Sequence, residues 1–94
     1  MPEWEGWTIA FTGESRCTIS GFRIDREMSI ALAERVGLHV YPRVTKKVNL
    51  LVSCEPRTAN EAKAREYGIR IVEEAEFWGR LGMEVEALDW RTGR

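Results

Sequence analysis

The sequence lacks the features that indicate a membrane or secreted protein. No apolar run approaches the roughly 20 residues that a membrane-spanning helix needs. Residues 1–5 place no basic cluster before an apolar stretch, so we expect no signal peptide. These absences favour a cytoplasmic protein without a membrane partner.

Cysteine and histidine are scarce. Cys17 and Cys54 lie far apart and outside CxxC spacing, which predicts two buried or half-buried thiols, with a disulfide or a metal site as the alternative. His39 is the one histidine, and without a partner pattern it is interpreted as a structural or edge-strand residue.

The residue patterns of common α/β enzymes are also missing. No acidic cluster follows the first apolar run to hold Mg²⁺, and no glycine-rich phosphate loop is present. No nucleophile is paired with the lone histidine. We therefore expect no catalytic residue, no metal and no cofactor, and we reject an enzyme of flavodoxin or receiver type.

The length and charge of the chain limit what remains. Its 94 residues are enough for one domain and its core. Lys and Arg number 14 and Asp and Glu 15, for a formal net charge of −1. The overall charge therefore attracts neither DNA nor an anionic membrane, and any nucleic-acid contact must come from a local patch.

Apolar patterning predicts seven elements in the order β-α-β-β-α-β-α. The predicted strands are residues 7–11, 38–41, 48–53 and 69–72. The predicted helices are residues 26–36, 58–67 and 74–81. Asp25 is a candidate N-cap for the first helix, and Thr58 with Glu61 matches a capping box for the second. Residues 13–25 have a loop composition, and residues 83–94 are expected to be a loosely held tail.

Five short motifs, in this order, resemble the BRCT family of interaction modules in DNA replication and repair proteins. They are Phe11-Thr12-Gly13, residues 33–37, residues 44–52, residues 62–69 and Glu76-Phe77-Trp78, whose Trp78 falls where the family has a buried tryptophan. The resemblance covers roughly residues 5–82. It implies a four-stranded parallel α/β sheet in the order 2-1-3-4, flanked by three helices. We therefore expect a BRCT domain at residues 1–82 and a tail at residues 83–94.

Within the family, the chain resembles the domains of NAD-dependent DNA ligase, of the replication factor C large subunit and of actinobacterial epsilon-like exonuclease subunits. The resemblance implies a non-catalytic, nucleoid-associated binding module inside a larger polypeptide. Its partners would be DNA ends or nicks, or replication and repair proteins. Any exonuclease, ligase or polymerase-associated activity would then lie outside this chain.

The junction after the first strand is the predicted site. Ligands of open α/β sheets bind beyond the carboxyl ends of the strands, where neighbouring strands send their helices to opposite faces. Thr12 offers a hydroxyl donor there, and Gly13 lets its backbone N–H approach a ligand closely. The second helix should begin beside them with its free N–H groups, so we predict a phosphate site. The alternative is that Thr12 and Gly13 only close a turn.

The resemblance implies the charged part of this site. Family members that bind phosphate have a lysine where this chain has Asn60, which supplies no charge. Arg26 matches an arginine that contacts DNA phosphate in the replication factor C member, and the alternative is a solvated first-turn residue. The complete predicted site consists of Thr12, Gly13, Arg26, Asn60, Arg57 and Lys63, with Arg16 and Arg23 as a possible basic rim.

Two alternatives remain open at this point. Asn60 and the net charge of −1 favour a protein-interaction module whose phosphate pocket is degenerate. Lys46 and Lys47 are interpreted as an exposed turn, with a DNA contact as the alternative.

Overall fold

The computed structural model describes residues 4–87. The strands are β1 (Thr8–Thr12), β2 (Cys17–Ile19), β3 (Phe22–Arg23), β4 (His39–Val40), β5 (Leu50–Ser53), β6 (Arg70–Glu73) and β7 (Glu86–Ala87). The helices are α1 (Arg26–Arg35), α2 (Ala59–Glu66) and α3 (Glu74–Arg80). All seven elements that the apolar patterning predicts are present in the predicted order.

The central sheet has four parallel strands in the order β4-β1-β5-β6. Ile9 of β1 lies between Val40 and Leu50, so β1 is an interior strand with a neighbour on each side. Counted along the chain among these four strands, the order is 2-1-3-4. The predicted fold class is confirmed, and it is compatible with a BRCT-like fold. His39 lies on the edge strand β4, as expected.

Helices cover both faces of the sheet, so the side chains of β1 alternate between two cores. Ile9 and Phe11 belong to the larger core, which also contains residues of α1 and α3. Ala10 belongs to the smaller core, which lies under α2 and under the segment that joins β4 to β5. The smaller core consists of Ala10, Val44, Val48, Leu51 and Ala64.

Aromatic rings dominate the larger core. Phe77 lies edge-on to both Phe11 and Trp78, with centroid distances of 5.8 and 4.8 Å, and stacks on Trp4 at 5.6 Å. Trp4, Phe77 and Trp78 are completely buried. The expectation that Trp78 is a core residue is therefore confirmed, and α3 is held against the sheet through its two rings.

Both proposed N-caps are confirmed. The Asp25 side chain accepts a hydrogen bond from the Met28 N–H at 2.8 Å, and the Thr58 side chain accepts one from the Glu61 N–H at 3.2 Å. A side-chain oxygen thus satisfies an N–H group that the first helical turn leaves without a partner.

The prediction that residues 13–25 form a loop is wrong. β2 and β3 form a hairpin through Ser20 and Gly21, whose φ values of 50° and 83° are those of a tight type I′ turn. β7 pairs with the other edge of β2 and completes a small antiparallel sheet. Strands of three and two residues are too short to show a two-residue period.

The segment 83–94, which was expected to be a loosely held tail, contains β7. Residues 88–94, including Trp90, lie outside the described residues. Among residues 4–87, no helix has the length and apolar character to cross a membrane.

The Trp78 ring should be the largest single contributor to α3 packing. Trp78→Ala is expected to lower the free energy of unfolding by about 3–5 kcal/mol because a fully buried ring is lost. Trp78→Phe keeps most of the packing and loses the hydrogen bond from the indole Nε1 to Glu74, at 3.0 Å, for about 1–3 kcal/mol. Urea denaturation followed by circular dichroism measures both values. If Trp78→Ala and Trp78→Phe lowered the free energy of unfolding equally, the packing of the ring would not contribute more than its hydrogen bond.

Candidate functional site

A cavity of about 300 Å³ lies beyond the carboxyl ends of β1 and β5. Its walls come from the end of β1, the loop and hairpin that follow it, the first turn of α1 and the residue after β5. The lining residues are Phe11, Gly13, Glu14, Ser15, Arg23, Asp25, Arg26, Ser29 and Cys54. The cavity therefore lies at the predicted strand ends, but on the side of α1 rather than α2.

Gly13 allows the Glu55 side chain to approach the backbone more closely than any other residue type would permit. Its φ is +83°, and a Cβ atom added there would lie 2.7 Å from Cβ of Glu55. The Glu55 carboxylate accepts a hydrogen bond from the Glu14 N–H at 3.3 Å and lies 3.7 Å from Nη2 of Arg16. An internal carboxylate therefore lies close beside Gly13, where the sequence predicts a phosphate.

The Thr12 hydroxyl has a partner within the protein, at the start of α2. It donates to Oγ1 of Thr58 at 2.8 Å, and the side chain is buried. This bond joins the end of β1 to the N-cap of α2. Thr12 does not line the cavity, so its hydroxyl contributes to the junction and not to the cavity wall.

Thr58 and Glu61 tie the start of α2 to the loop that precedes it. Glu61 turns back so that its Oε1 accepts from the Arg57 N–H at 2.9 Å, while its Oε2 accepts from the Ser53 hydroxyl. Arg57 has a φ of +60°, a left-handed backbone that non-glycine residues seldom adopt. Half of the capping box forms, because Thr58 accepts from the Glu61 N–H while the glutamate accepts from the residue before the N-cap. Asn60 and Lys63 lie along α2 and do not line the cavity.

The two arginines on the cavity wall are held weakly. Nε of Arg23 donates to the Ser15 carbonyl at 3.3 Å, and its Nη2 lies 3.6 Å from the Glu14 carboxylate in a solvent-exposed pair. Arg26 is exposed in the first turn of α1, and Ser29 lies one turn later on the same wall. Exposed pairs of this kind contribute little free energy, so both guanidinium groups can reorient toward a ligand.

The structure therefore divides the six predicted residues into two groups. Gly13 and Arg26 meet at the cavity. Thr12, Arg57, Asn60 and Lys63 belong to the α2 side. Sequence reasoning missed the cavity residues Ser15, Ser29 and Cys54; only Ser29 carried a signal, because it lies three residues after Arg26 on one helix face.

Glu74, the first residue of α3, holds the cavity residue Ser15 in place. It is 4% exposed and accepts hydrogen bonds from the Ser15 hydroxyl, from the Arg16 N–H at 2.8 Å and from Nε1 of Trp78 at 3.0 Å. Three donors compensate for the burial of the carboxylate. The loop that leads into the hairpin is thereby tied to α3.

Both cysteines are free and buried, which agrees with the expected pair of buried thiols. Burial, reinforced by the nearby Glu74 carboxylate, raises the pKa of Cys17 to about 12. Burial and the same carboxylate raise the pKa of Cys54 well above its ordinary value. Both groups are therefore neutral thiols of low nucleophilicity. Residues 4–87 contain no group of three or more His, Cys, Asp or Glu side chains placed to hold a metal ion.

The raised thiol pKa values predict a loss of stability in alkali. As pH rises through about 9, the unfolded chain releases thiol protons that the folded chain retains, so the free energy of unfolding falls. Each thiol contributes up to about 1.4 kcal/mol per pH unit in that range. Urea denaturation at several pH values should show this slope, and a Cys17→Ala/Cys54→Ala variant should have a shallower one. Identical slopes for the parent protein and the double variant would contradict the raised thiol pKa values.

The close approach at Gly13 predicts a specific cost for a side chain. Gly13→Ala should lower the free energy of unfolding by about 2–4 kcal/mol, because it adds a clash with Glu55 to the cost of a positive φ. Gly21→Ala is the matched control, since Gly21 has the same φ of +83° and open space around it. The control should lose only about 1–2 kcal/mol. Thermal or urea denaturation compares them, and equal losses would exclude the clash.

The chain resembles one segment of several DNA ligases. It is 33% identical over 85 residues to a DNA ligase of Nitratidesulfovibrio vulgaris, a match that covers 90% of this chain and 10% of the relative. It is 34% identical over 80 residues to a DNA ligase of Brucella anthropi, covering 85% of this chain and 10% of the relative. A DNA ligase of Syntrophobacter fumaroxidans is 35% identical over 80 residues, covering 85% and 11%.

The chain thus spans about a tenth of the length of the curated relatives that it matches. No protein-family model matches it. These similarities associate the chain with a segment of DNA ligases, and with DNA replication and repair in that broad sense.

Proposed function

We propose that the chain is a BRCT-type, non-catalytic module that binds DNA by taking a phosphate, preferably a 5′-phosphate, into the cavity beyond β1. The observation that carries this proposal is the meeting of Gly13, Arg23 and Arg26 at one cavity at the ends of β1 and β5. The similarity to segments of DNA ligases supports DNA as the source of the phosphate.

The walls supply two kinds of donor. Arg23 and Arg26 carry guanidinium groups, whose planar N–H donors suit phosphate oxygens. Ser29 adds a hydroxyl group. The Asp25 carboxylate, which also lines the cavity, already caps the N-terminus of α1 through the Met28 N–H, so a phosphate would enter beside that carboxylate. A phosphate that entered would compete with the carboxylates of Glu14 and Glu55 for Arg23 and Arg16.

No step of bond making or breaking is assigned to this chain. The two thiols have raised pKa values, and the donors on the cavity wall can bind and orient a phosphate. Any ligase, exonuclease or polymerase-associated chemistry is proposed to lie in a larger polypeptide, of which this chain is the part that holds the DNA.

A second candidate function is protein binding without phosphate. It is favoured by the internal carboxylates, because Glu55 lies beside Gly13 and Glu61 accepts from the Arg57 N–H just before α2. Asn60 stands where a charged lysine would strengthen phosphate binding. In that case the partner would be another replication or repair protein.

Fluorescence anisotropy with recessed or nicked duplexes separates the two candidates. A duplex with a 5′-phosphate should bind more tightly than the same duplex with a 5′-hydroxyl, and Arg26→Gln should abolish that difference. Arg80→Gln is the control, since Arg80 is an exposed arginine that pairs with Glu76 at 3.0 Å within α3. It removes the same charge away from the cavity. Loss of one charge-assisted contact predicts roughly a tenfold or larger fall in affinity.

Equal affinity for the two duplexes would exclude the phosphate site and leave the protein-binding candidate.

A further inference from the structure

A group of lysines lies on the face of the sheet opposite the cavity. Residues 36–54 contain Arg43, Lys46 and Lys47 and not a single Asp or Glu. All three lysines of the chain, Lys46, Lys47 and Lys63, belong to the layer that covers the smaller core. This layer consists of α2 and the segment that precedes β5.

Packing holds these cations close to one another. Val44 and Val48 are buried against Ala64 of α2, so the segment between them lies alongside that helix. The ammonium group of Lys46 lies 5.7 Å from the ring centroid of Tyr67. Lys63 is one helical turn before Tyr67 and therefore projects from the same side of α2.

The same side chains have no internal counter-ion. Arg43, Lys46, Lys47 and Lys63 are exposed, and within residues 4–87 they form no ion pair. By contrast, Arg16, Arg23 and Arg65 each pair with a glutamate. We call Arg43, Lys46, Lys47 and Lys63 the basic face.

Nearby acids do little to neutralise this face. Glu61 is buried and engaged by Ser53, Arg57 and Arg65, so its charge is compensated inside the protein. Glu66 is the exposed acid of α2. It lies three residues after Lys63, where side chains are neighbours on the helix surface, but a single exposed carboxylate leaves most of the four cations without compensation. A local positive field therefore persists in a chain whose net charge is −1.

We propose that the basic face is a second DNA-binding surface, which contacts the phosphate backbone of an uninterrupted duplex. Exposed lysines suit a row of phosphates, because each ammonium group is a point charge on a flexible stem that needs no defined pocket. The hydrogen bond from the Lys47 N–H to Oγ1 of Thr45, at 3.2 Å, orders the turn that presents two of them.

This proposal rests on the proposed DNA-binding function in one respect, namely that the polyanion bound by the basic face is DNA. Its geometry is independent of the cavity, because the two surfaces lie on opposite faces of the sheet. The cavity would recognise an end, whereas the basic face would bind duplex of any sequence and without an end.

The test uses the full 94-residue chain and a duplex closed at both ends by hairpin loops, which has no terminal phosphate. Each lysine that contacts a phosphate contributes about 0.9 to the slope of log affinity against log salt. The K46Q/K47Q variant should therefore lower that slope by about 2 and the affinity by roughly tenfold or more at about 0.1 M salt.

Two variants serve as controls. K46R/K47R keeps both charges and should retain the slope and the affinity. R80Q removes one charge from α3, on the opposite face, and should leave the slope unchanged. Urea denaturation of each variant checks that folding is intact, because Lys46 contacts the Tyr67 ring.

Lysine footprinting gives a second readout. The closed duplex should protect Lys46, Lys47 and Lys63 from acetylation by an N-hydroxysuccinimide ester, measured by mass spectrometry. No binding of the closed duplex, an unchanged slope for K46Q/K47Q or fully reactive lysines in the complex would each overturn the proposal.

Failure of the cavity function gives a different pattern. If the 5′-phosphate makes no difference while the closed duplex still binds through the lysines, the basic face is supported and the cavity site is excluded. If R26Q lowers end binding but not closed-duplex binding, both surfaces are supported.

Discussion

The buried carboxylate of Glu74 is the contact on which the arrangement of the cavity depends. It starts α3, and it accepts hydrogen bonds from Ser15, from the Arg16 backbone and from the Trp78 indole. A carboxylate is costly to bury, and these three donors compensate for that cost. Because the acceptor is shared, the position of the loop after β1 is set by the packing of α3. The cavity wall and the aromatic core are thus parts of one unit. Burial of the thiols, reinforced by the same carboxylate, raises the pKa values of Cys17 and Cys54.

Most of the fold could be predicted from the sequence. Buried strands such as β5 are short apolar runs, and Asp25 and Thr58 mark helix starts by a local hydrogen bond that sequence spacing reveals. The hairpin could not be predicted in this way. Its strands contain three and two residues, and β2 is held partly by β7, which lies more than sixty residues later in the chain. Pairing over such a separation leaves no local pattern.

The candidate site was less predictable, because side-chain hydrogen bonds decide it. The location at the end of β1 follows from sheet topology, and Gly13 and Arg26 do meet there. The partner of Thr12 does not follow from any spacing: its hydroxyl bonds to Thr58, which is 46 residues away. Likewise, Glu61 was expected at the helix start, but its bond to the Arg57 backbone depends on a left-handed residue that the sequence does not indicate. Long-range hydrogen bonds of this kind occupy some polar groups within the protein and leave others available to a ligand.

The interior position of β1 has a geometric consequence. Ile9 and Phe11 point into one core and Ala10 into the other, so this strand is the partition between the α1 side and the α2 side of the molecule. A single phosphate cannot touch Arg26 and Lys46 at once. Any duplex that engaged both surfaces would have to wrap around an edge of the sheet, and otherwise two separate stretches of DNA would be needed. β1 therefore separates the two proposed DNA-binding surfaces, and one copy of this chain could contact two separate stretches of DNA, one on each side.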